Sequence, residues 1–96
     1  MNVKAYLQVT MKINAENRPA AAHIYTTYRQ PFLDTIPGAL TKELLIRDED
    51  VQVIHGFDSM EHARAYLGST LFREKVAPGL QPTWAEAPDI RFYSVG

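Results

Sequence analysis

The 96-residue sequence predicts one α+β domain, spanning residues 1–96, with the element order β-α-β-β-α-β. In four segments the residues follow strand patterns, and between them lie segments whose apolar residues recur at helical spacing. Proline, glycine and acidic residues stand between these segments, where turns are expected. The length suits one domain, and the content of 46% hydrophobic and 22% charged residues is that of an ordinary globular protein.

The first strand is predicted from an alternation that covers residues 3–13. Every odd-numbered residue from Val3 to Ile13 is apolar, and the residues between them are mostly polar. A period of two is the spacing of a strand with one buried face. We therefore expect the odd-numbered residues of this strand to face the helices.

A helix of about 18 residues is predicted next. Residues 14–17 offer capping side chains, and Pro19 suits the first helical turn. One apolar stripe at helical spacing consists of Ala21, Ile24, Tyr25, Tyr28, Phe32 and Ile36. Pro31 lies inside the segment and should bend or loosen its last turn, and Pro37 and Gly38 should end the element.

The remaining elements are a hairpin, a helical segment and a closing strand. Residues 40–47 and 51–57 are predicted strands that flank an acidic turn. A short helix over residues 60–67 follows, then a break at Gly68 and Ser69, and a second short helix from Leu71 that ends near Pro78 and Gly79. Residues 90–95 are predicted to form the last strand.

This order is the split βαβ arrangement of ferredoxin-like folds. Right-handed crossovers would place both helices on one face of a four-stranded antiparallel sheet. The opposite face should carry Tyr6, Gln8, Thr10, Leu45, Ile54, Tyr93 and Val95. A face of this composition is too apolar to remain in water, so a second sheet is expected to cover it in a homodimeric α/β barrel. The alternative is a monomer with a partly apolar outer face.

Several functional classes are disfavoured by composition and motifs. A net charge of −1 with scattered basic residues argues against nucleic-acid binding, and no apolar run is long enough to span a membrane. The first residues lack the apolar run of a signal peptide, so a cytoplasmic location is expected. The chain has no cysteine, its three histidines lack metal-ligand spacing, and no nucleotide-binding or nucleophile-elbow motif is present. We expect neither metal nor cofactor.

Residues 55–72, HGFDSMEHARAYLGSTLF, resemble the antibiotic biosynthesis monooxygenase-like family of dimeric α/β barrels. In that family the third strand ends in an aromatic residue and a serine, followed by an alanine-rich helix, a His-x-x-Ser step and another aromatic. The glycine turn after the first helix and the late strand also fit, so the resemblance covers nearly the whole chain as topology. It implies a dimer and a function like that of members that include cofactor-independent oxygenases of polycyclic phenols, haem-degrading enzymes and quinone-linked proteins.

The sequence departs from this family at two positions. Tyr66 stands where the helix often carries histidine, and Phe57 stands where the strand often carries tryptophan. The asparagine, tryptophan and histidine set of the haem-degrading relatives is not assembled here. Haem degradation is therefore disfavoured.

His55 is the candidate catalytic residue. It shares the side of Val51 and Val53, beneath the helices, and an imidazole in an apolar pocket could orient or deprotonate a phenol. The alternative is a core histidine that is hydrogen-bonded to a tyrosine hydroxyl or a backbone carbonyl.

A group of aromatic residues is the candidate binding site for a small, flat aromatic ligand. Rings that converge between helices and sheet form an apolar slot, in which tyrosine hydroxyls are polar anchors. The candidate substrate-binding residues are Phe57, Tyr66, Phe72, Tyr28 and Trp84. The alternative is ordinary core filling, and Trp84, in a proline-flanked loop, could instead cap the pocket or dock on the partner subunit.

Three functions fit these observations. The first is a cofactor-independent monooxygenase acting on a phenolic or quinol-like compound, whose deprotonated form itself supplies the electron to oxygen. The second is a carrier or sensor that uses the same pocket without turnover. The third is a dimeric scaffold with a filled core. The chain carries no catalytic motif that decides among them.

Overall fold

The structure, a computed structural model, describes residues 2–96 and has the predicted order of elements. The four strands are β1 (Ala5–Met11), β2 (Ala39–Ile46), β3 (Val51–Phe57) and β4 (Asp89–Ser94). The helices are α1 (Arg18–Thr35), α2 (Met60–Tyr66) and α3 (Ala77–Leu80). A π-helical segment, Leu71–Val76, leads directly into α3, and short 3-10 turns span Ala15–Asn17 and Gln81–Thr83.

The strands form one antiparallel sheet in the order β2-β3-β1-β4. The two central strands are therefore β3 and β1, and β2 and β4 form the edges. In this register His55 lies opposite Leu7 of β1 on one side and opposite Lys42 of β2 on the other. The ferredoxin-like α+β fold predicted from the order of elements is confirmed.

The inner face of the sheet is the one that the alternation in β1 predicts. The odd-numbered residues from Ala5 to Ile13 are all buried, whereas the even-numbered residues of β1 are half-buried. Helix α1 packs mainly over β2, and α2 packs over β1, β3 and β4. Both helical layers therefore lie on the same face of the sheet.

Helix α1 has the predicted length of 18 residues, with Pro19 in its first turn. The helix continues through Pro31 to Thr35, whose hydroxyl donates to the Pro31 carbonyl oxygen at 2.7 Å. Asparagine capping was expected before the helix, but neither Asn14 nor Asn17 forms a side-chain cap. The intervening 3-10 turn already bonds part of the backbone there, which reduces the need for a cap.

The prediction that the second short helix ends near Pro78 and Gly79 is wrong. Helical structure continues through Thr83, and Pro78 is the second residue of α3. Gly79 is needed for packing, since a Cβ there would lie 2.7 Å from the side chain of Ile24 in α1. The segment therefore stays against α1 instead of turning away.

The outer face of the sheet carries exposed apolar residues that the sequence places there. Leu45, Tyr93 and Val95 are 47%, 45% and 49% exposed. No helix of residues 2–96 lies on this face, because both crossovers run over the other one.

The described part of the chain also contains no helix that is long and apolar enough to span a membrane.

A candidate binding cavity between helix and sheet

The space between the helices and the sheet is divided into a filled half and a hollow half. The filled half is an aromatic cluster around Phe32, which α1 inserts from above. The Phe32 ring centroid lies 5.3 Å from that of His55, 5.6 Å from Phe57 and 4.9 Å from Tyr66. These are edge-to-face distances, so the rings are in direct packing contact.

The hollow half is a cavity of about 380 Å³ beneath the N-terminal half of α1. Its walls are formed by β1, β2 and β3 below, by α1 above, and by the π-helical segment and α3 at the side. The apolar lining includes Val9, Met11, Ile24, Leu44, Val53 and Val76. The polar groups at its border are those of Arg18, Tyr25, Lys42 and His55.

Two of the six candidate site residues border this cavity, and they are His55 and Phe72. Phe57 and Tyr66 lie in the aromatic cluster instead, because Phe32 occupies the space that we expected a ligand to fill between them. The expected slot among these residues is thus closed, and the open volume lies on the other side of His55.

The remaining two candidates, Tyr28 and Trp84, pack against the core without bordering the cavity. Trp84 pairs through its backbone with Ile13 beyond the end of β1, and its indole N–H is buried without a hydrogen-bond partner in residues 2–96.

His55 is 3% exposed, and its ring orientation is set by one hydrogen bond. Nδ1 lies 3.1 Å from the Leu7 carbonyl oxygen, which can only accept, so Nδ1 carries the proton and Nε2 keeps its lone pair. Burial, reinforced by the nearby Lys42 charge, lowers the pKa of His55 to about 3, against the opposing effect of the Leu7 bond. The imidazole is therefore neutral at physiological pH, as expected for a core histidine bonded to a backbone carbonyl, but it also borders an open volume.

Lys42 is a residue of this site that the sequence analysis missed. Its side chain is 2% exposed, and its Nζ lies 5.1 Å from the centroid of Phe32 and 5.9 Å from that of Tyr25. Desolvation, together with the charge of Arg29, lowers its pKa to about 8. The signal was available: if Leu45 of β2 faces outward, the strand period places Lys42 inward.

The backbone of β2 is held to α1 at the position of Lys42. The Tyr25 hydroxyl and the Arg29 Nε both donate to the Lys42 carbonyl oxygen, each at 3.0 Å. These bonds satisfy an edge-strand carbonyl and hold the side chain of Lys42 under the helix.

Arg18 closes the other end of the cavity by bonding three backbone carbonyls. It donates to Ile13 at 3.1 Å, to Arg47 at 2.8 Å and to Asp48 at 2.7 Å. One side chain thus joins the end of β1, the start of α1 and the β2–β3 turn. With Lys42, it makes the border of the cavity cationic, since none of the described residues that line it is acidic.

Tyr66 carries a buried hydroxyl that has no hydrogen-bond partner within residues 2–96. Burial raises the pKa of Tyr66, so the phenol stays protonated. An unpaired O–H in an apolar cluster costs free energy.

In the part of the chain that the structure describes, no three histidine or acidic side chains are grouped to hold a metal ion.

Neither a protein-family model nor a curated protein matches this sequence. Solved structures do match its fold. A proposed antibiotic biosynthesis monooxygenase from Caulobacter crescentus has a TM-score of 0.84 at 18% identity, with 98% of this chain and 91% of that chain covered. A conserved protein from Methanosarcina mazei has a TM-score of 0.85 at 11% identity, with 98% and 94% covered.

A monooxygenase from Streptomyces coelicolor, solved with the ligand nanaomycin D, has a TM-score of 0.81 at 15% identity, with 98% of this chain and 88% of that chain covered. The fold of this chain is thus that of proteins described as antibiotic biosynthesis monooxygenases, which supports the resemblance found in residues 55–72. At these identities the likeness establishes the fold.

Proposed function

We propose that this protein is a monooxygenase that acts without a bound cofactor on a small phenolic or quinol-like aromatic compound. The observation that carries the proposal is the cavity beneath α1, where an apolar wall surrounds two nitrogen groups on adjacent strands, Lys42 and His55. Its volume of about 380 Å³ lies in the range of small-molecule sites. The Streptomyces coelicolor monooxygenase, which shares the fold, holds a small-molecule ligand.

The two nitrogen groups suit the chemistry that such a reaction requires. A protonated Lys42 beside a phenol favours the phenolate, and this attraction is stronger in an apolar cavity than in water. The unprotonated Nε2 of His55 accepts a hydrogen bond from a substrate hydroxyl and orients the ring. The reaction balances without an added reductant, because a phenol and one O₂ yield a quinone and one water.

The predicted aromatic residues take different parts in this proposal. Phe72 contacts the ligand, since it borders the cavity. Phe57 and Tyr66 do not contact the ligand, but their rings pack against Phe32 and His55, and His55 borders the cavity. Tyr28 and Trp84 support the walls from the surrounding core.

A carrier or sensor is the second candidate function, and the electrostatics of His55 favour it. A histidine whose pKa is lowered to about 3 is a weak proton acceptor, so the cavity could bind a phenol without promoting its oxidation. Binding with no oxygen uptake would distinguish this function from the first.

Oxygen uptake by the purified, metal-free protein with a panel of phenols and naphthohydroquinones tests the proposal. We expect uptake in the wild type and a loss of at least about tenfold in Lys42→Met and His55→Gln, because each variant removes one polar contact of the substrate. Lys75→Met and His23→Gln are the matched controls, since both residues are exposed, and they should retain full activity. Circular dichroism checks that each variant is folded.

Ligand binding is followed separately through the fluorescence of Trp84, the single tryptophan. Binding without uptake would support the carrier, and the absence of both would reject a ligand site in this cavity. Equal loss in the variants and their exposed controls would also contradict the proposal.

A further inference from the structure

The four lysines of this protein are Lys4, Lys12, Lys42 and Lys75, and all lie within the described residues. Three of them are exposed, as lysines usually are. Lys42 is the exception at 2% exposed, and it borders the apolar cavity. None of the ion pairs formed by residues 2–96 includes it.

The groups around the Lys42 amine provide no ion-pair partner for its charged form, which contacts the Phe32 and Tyr25 rings instead. Arg29 and Tyr25 of α1 lie above it, His55 of β3 is opposite it in the sheet, and Arg18 is the other cationic residue of the cavity. These neighbours are cationic or neutral, and none is a carboxylate. A desolvated amine next to another cation is the arrangement that makes lysine a nucleophile in proteins.

We propose that Lys42 binds aldehydes or ketones with an apolar body by forming an imine with them inside the cavity. This activity is separate from phenol oxidation and does not depend on it. The amine lone pair attacks the carbonyl carbon and forms the C–N bond while the carbonyl oxygen takes up a proton. The nitrogen then loses its protons, the C–O bond breaks, and the oxygen leaves as one water molecule, so no oxidant or reductant is consumed.

His55 supplies a hydrogen-bond acceptor for these steps. Its Nδ1 is engaged with the Leu7 carbonyl, so the free lone pair is on Nε2, and the residue is the direct cross-strand neighbour of Lys42. This atom can accept a hydrogen bond from the nitrogen during addition, while the protons of the nitrogen pass to the oxygen that departs as water. The apolar lining of the cavity limits the water that would hydrolyse the imine.

Reductive trapping tests the proposal on the wild-type protein. Benzaldehyde is the probe, and sodium cyanoborohydride at pH 7 reduces the imine to a stable secondary amine that peptide mapping locates. The pKa of Lys42 is lowered to about 8, so its neutral fraction at pH 7 exceeds that of an ordinary lysine by about two orders of magnitude. We expect labelling of Lys42 at least about tenfold above that of Lys4, Lys12 and Lys75.

The pH dependence of labelling supplies an independent readout. The rate on Lys42 should reach half its maximum near pH 8, about two pH units below the midpoint of an ordinary lysine. Arg29→Met should move the Lys42 midpoint upward, because it removes a neighbouring positive charge. Arg73→Met, at an exposed position on the π-helical segment, is the matched control and should leave the midpoint unchanged.

Preferential labelling of the exposed lysines, equal labelling of all four, or a Lys42 midpoint near that of an ordinary lysine would each overturn the proposal. Mapping separates label on the N-terminal amine from label on lysine side chains. Labelling of Lys42 in a protein without oxygen uptake would uphold this inference while rejecting the monooxygenase, so the two failures are distinguishable.

Discussion

Among single residues, Lys42 and His55 show how two adjacent strands can bring two weakly basic groups into an apolar layer. Each residue is positioned by hydrogen bonds to backbone carbonyls, and no carboxylate is involved. His55 donates to the Leu7 carbonyl, and the carbonyl of Lys42 accepts from Tyr25 and Arg29. Without counter-charges, both side chains respond to burial by favouring their neutral forms. Their chemistry therefore depends on the cavity around them.

Lys42→Met should stabilise the fold. Methionine has a similar length and no charge to desolvate, whereas the fall of the lysine pKa from 10.5 to about 8 corresponds to a cost of a few kcal/mol in the charged form. After allowance for the lost contact of the amine with the Phe32 ring, we expect a gain of roughly 1–3 kcal/mol at pH 7. Urea denaturation measures it.

The gain in the free energy of unfolding should become smaller at alkaline pH, and this pH dependence is the control. Between pH 8 and 10.5 the unfolded chain holds the Lys42 proton more tightly than the folded chain, so the free energy of unfolding of the wild type rises with pH. The methionine variant lacks this rise, and the gap between the two proteins should narrow at pH 10. A gap that stays constant from pH 7 to 10 would mean that Lys42 is not desolvated.

The burial of His55 could be predicted from the sequence, whereas the burial of Lys42 was harder to predict. The strand period placed His55 beside Val51 and Val53, and both the buried position and the backbone hydrogen bond follow from it. A lysine in an edge strand is usually exposed, because its long side chain can reach water. Here Arg29 and Tyr25 cover the strand from above, which only the packed structure reveals.

At the scale of the element, the end of α1 shows how one backbone position directs the chain from helix to sheet. Gly38 has a positive φ of 78°, and its carbonyl accepts from the Asp58 N–H at 2.9 Å. A Cβ at this position would collide with the paired side chains of Asp58 and His62. Conformation and close approach both require glycine here.

Gly38→Ala should therefore destabilise the protein by about 1–3 kcal/mol, from left-handed backbone strain and displacement of the His62 and Asp58 pair. Thermal and urea denaturation measure the loss. Gly68→Ala is the matched control, because its nearest neighbour would be the Ala65 carbonyl oxygen at 3.6 Å, an ordinary contact. Similar stability changes in the two variants would contradict this account of Gly38.

At the scale of the whole molecule, the two faces of the sheet differ in what covers them. The inner face is covered by both helical layers, and the outer face, with Leu45, Tyr93 and Val95 about half exposed, is not covered by any described helix. We propose that a second copy of this chain covers it, as the sequence analysis expected. Large apolar side chains spread across a twisted sheet suit face-to-face packing with another sheet.

Size exclusion with light scattering should give twice the monomer mass of 10.9 kDa at micromolar concentration. Leu45→Glu should shift the protein towards the monomer, because it replaces an apolar side chain of the proposed interface by a charged one. Ile46→Glu is its control, one residue along β2 on the opposite side and 68% exposed, and it should leave the mass unchanged. A monomer mass for the wild type would contradict the proposal.

Four features could be predicted from the sequence: the order of elements, the inner face of β1, the length of α1 and the burial of His55. Each of these follows from the spacing of residues close together in the chain, and such spacing reports directly on strand or helix geometry. The extension of helix beyond Pro78 was missed, because a proline followed by a glycine usually indicates the end of a helix.

The position of the open volume depends on tertiary packing. Whether Phe32 or a ligand fills the space among His55, Phe57 and Tyr66 depends on how deeply α1 settles on the sheet. That depth depends on the volumes of many side chains from elements far apart in the chain, so no local sequence pattern predicts it. The same packing leaves the cavity beneath the first half of α1 open, and it buries the amine of Lys42 at the wall of this cavity.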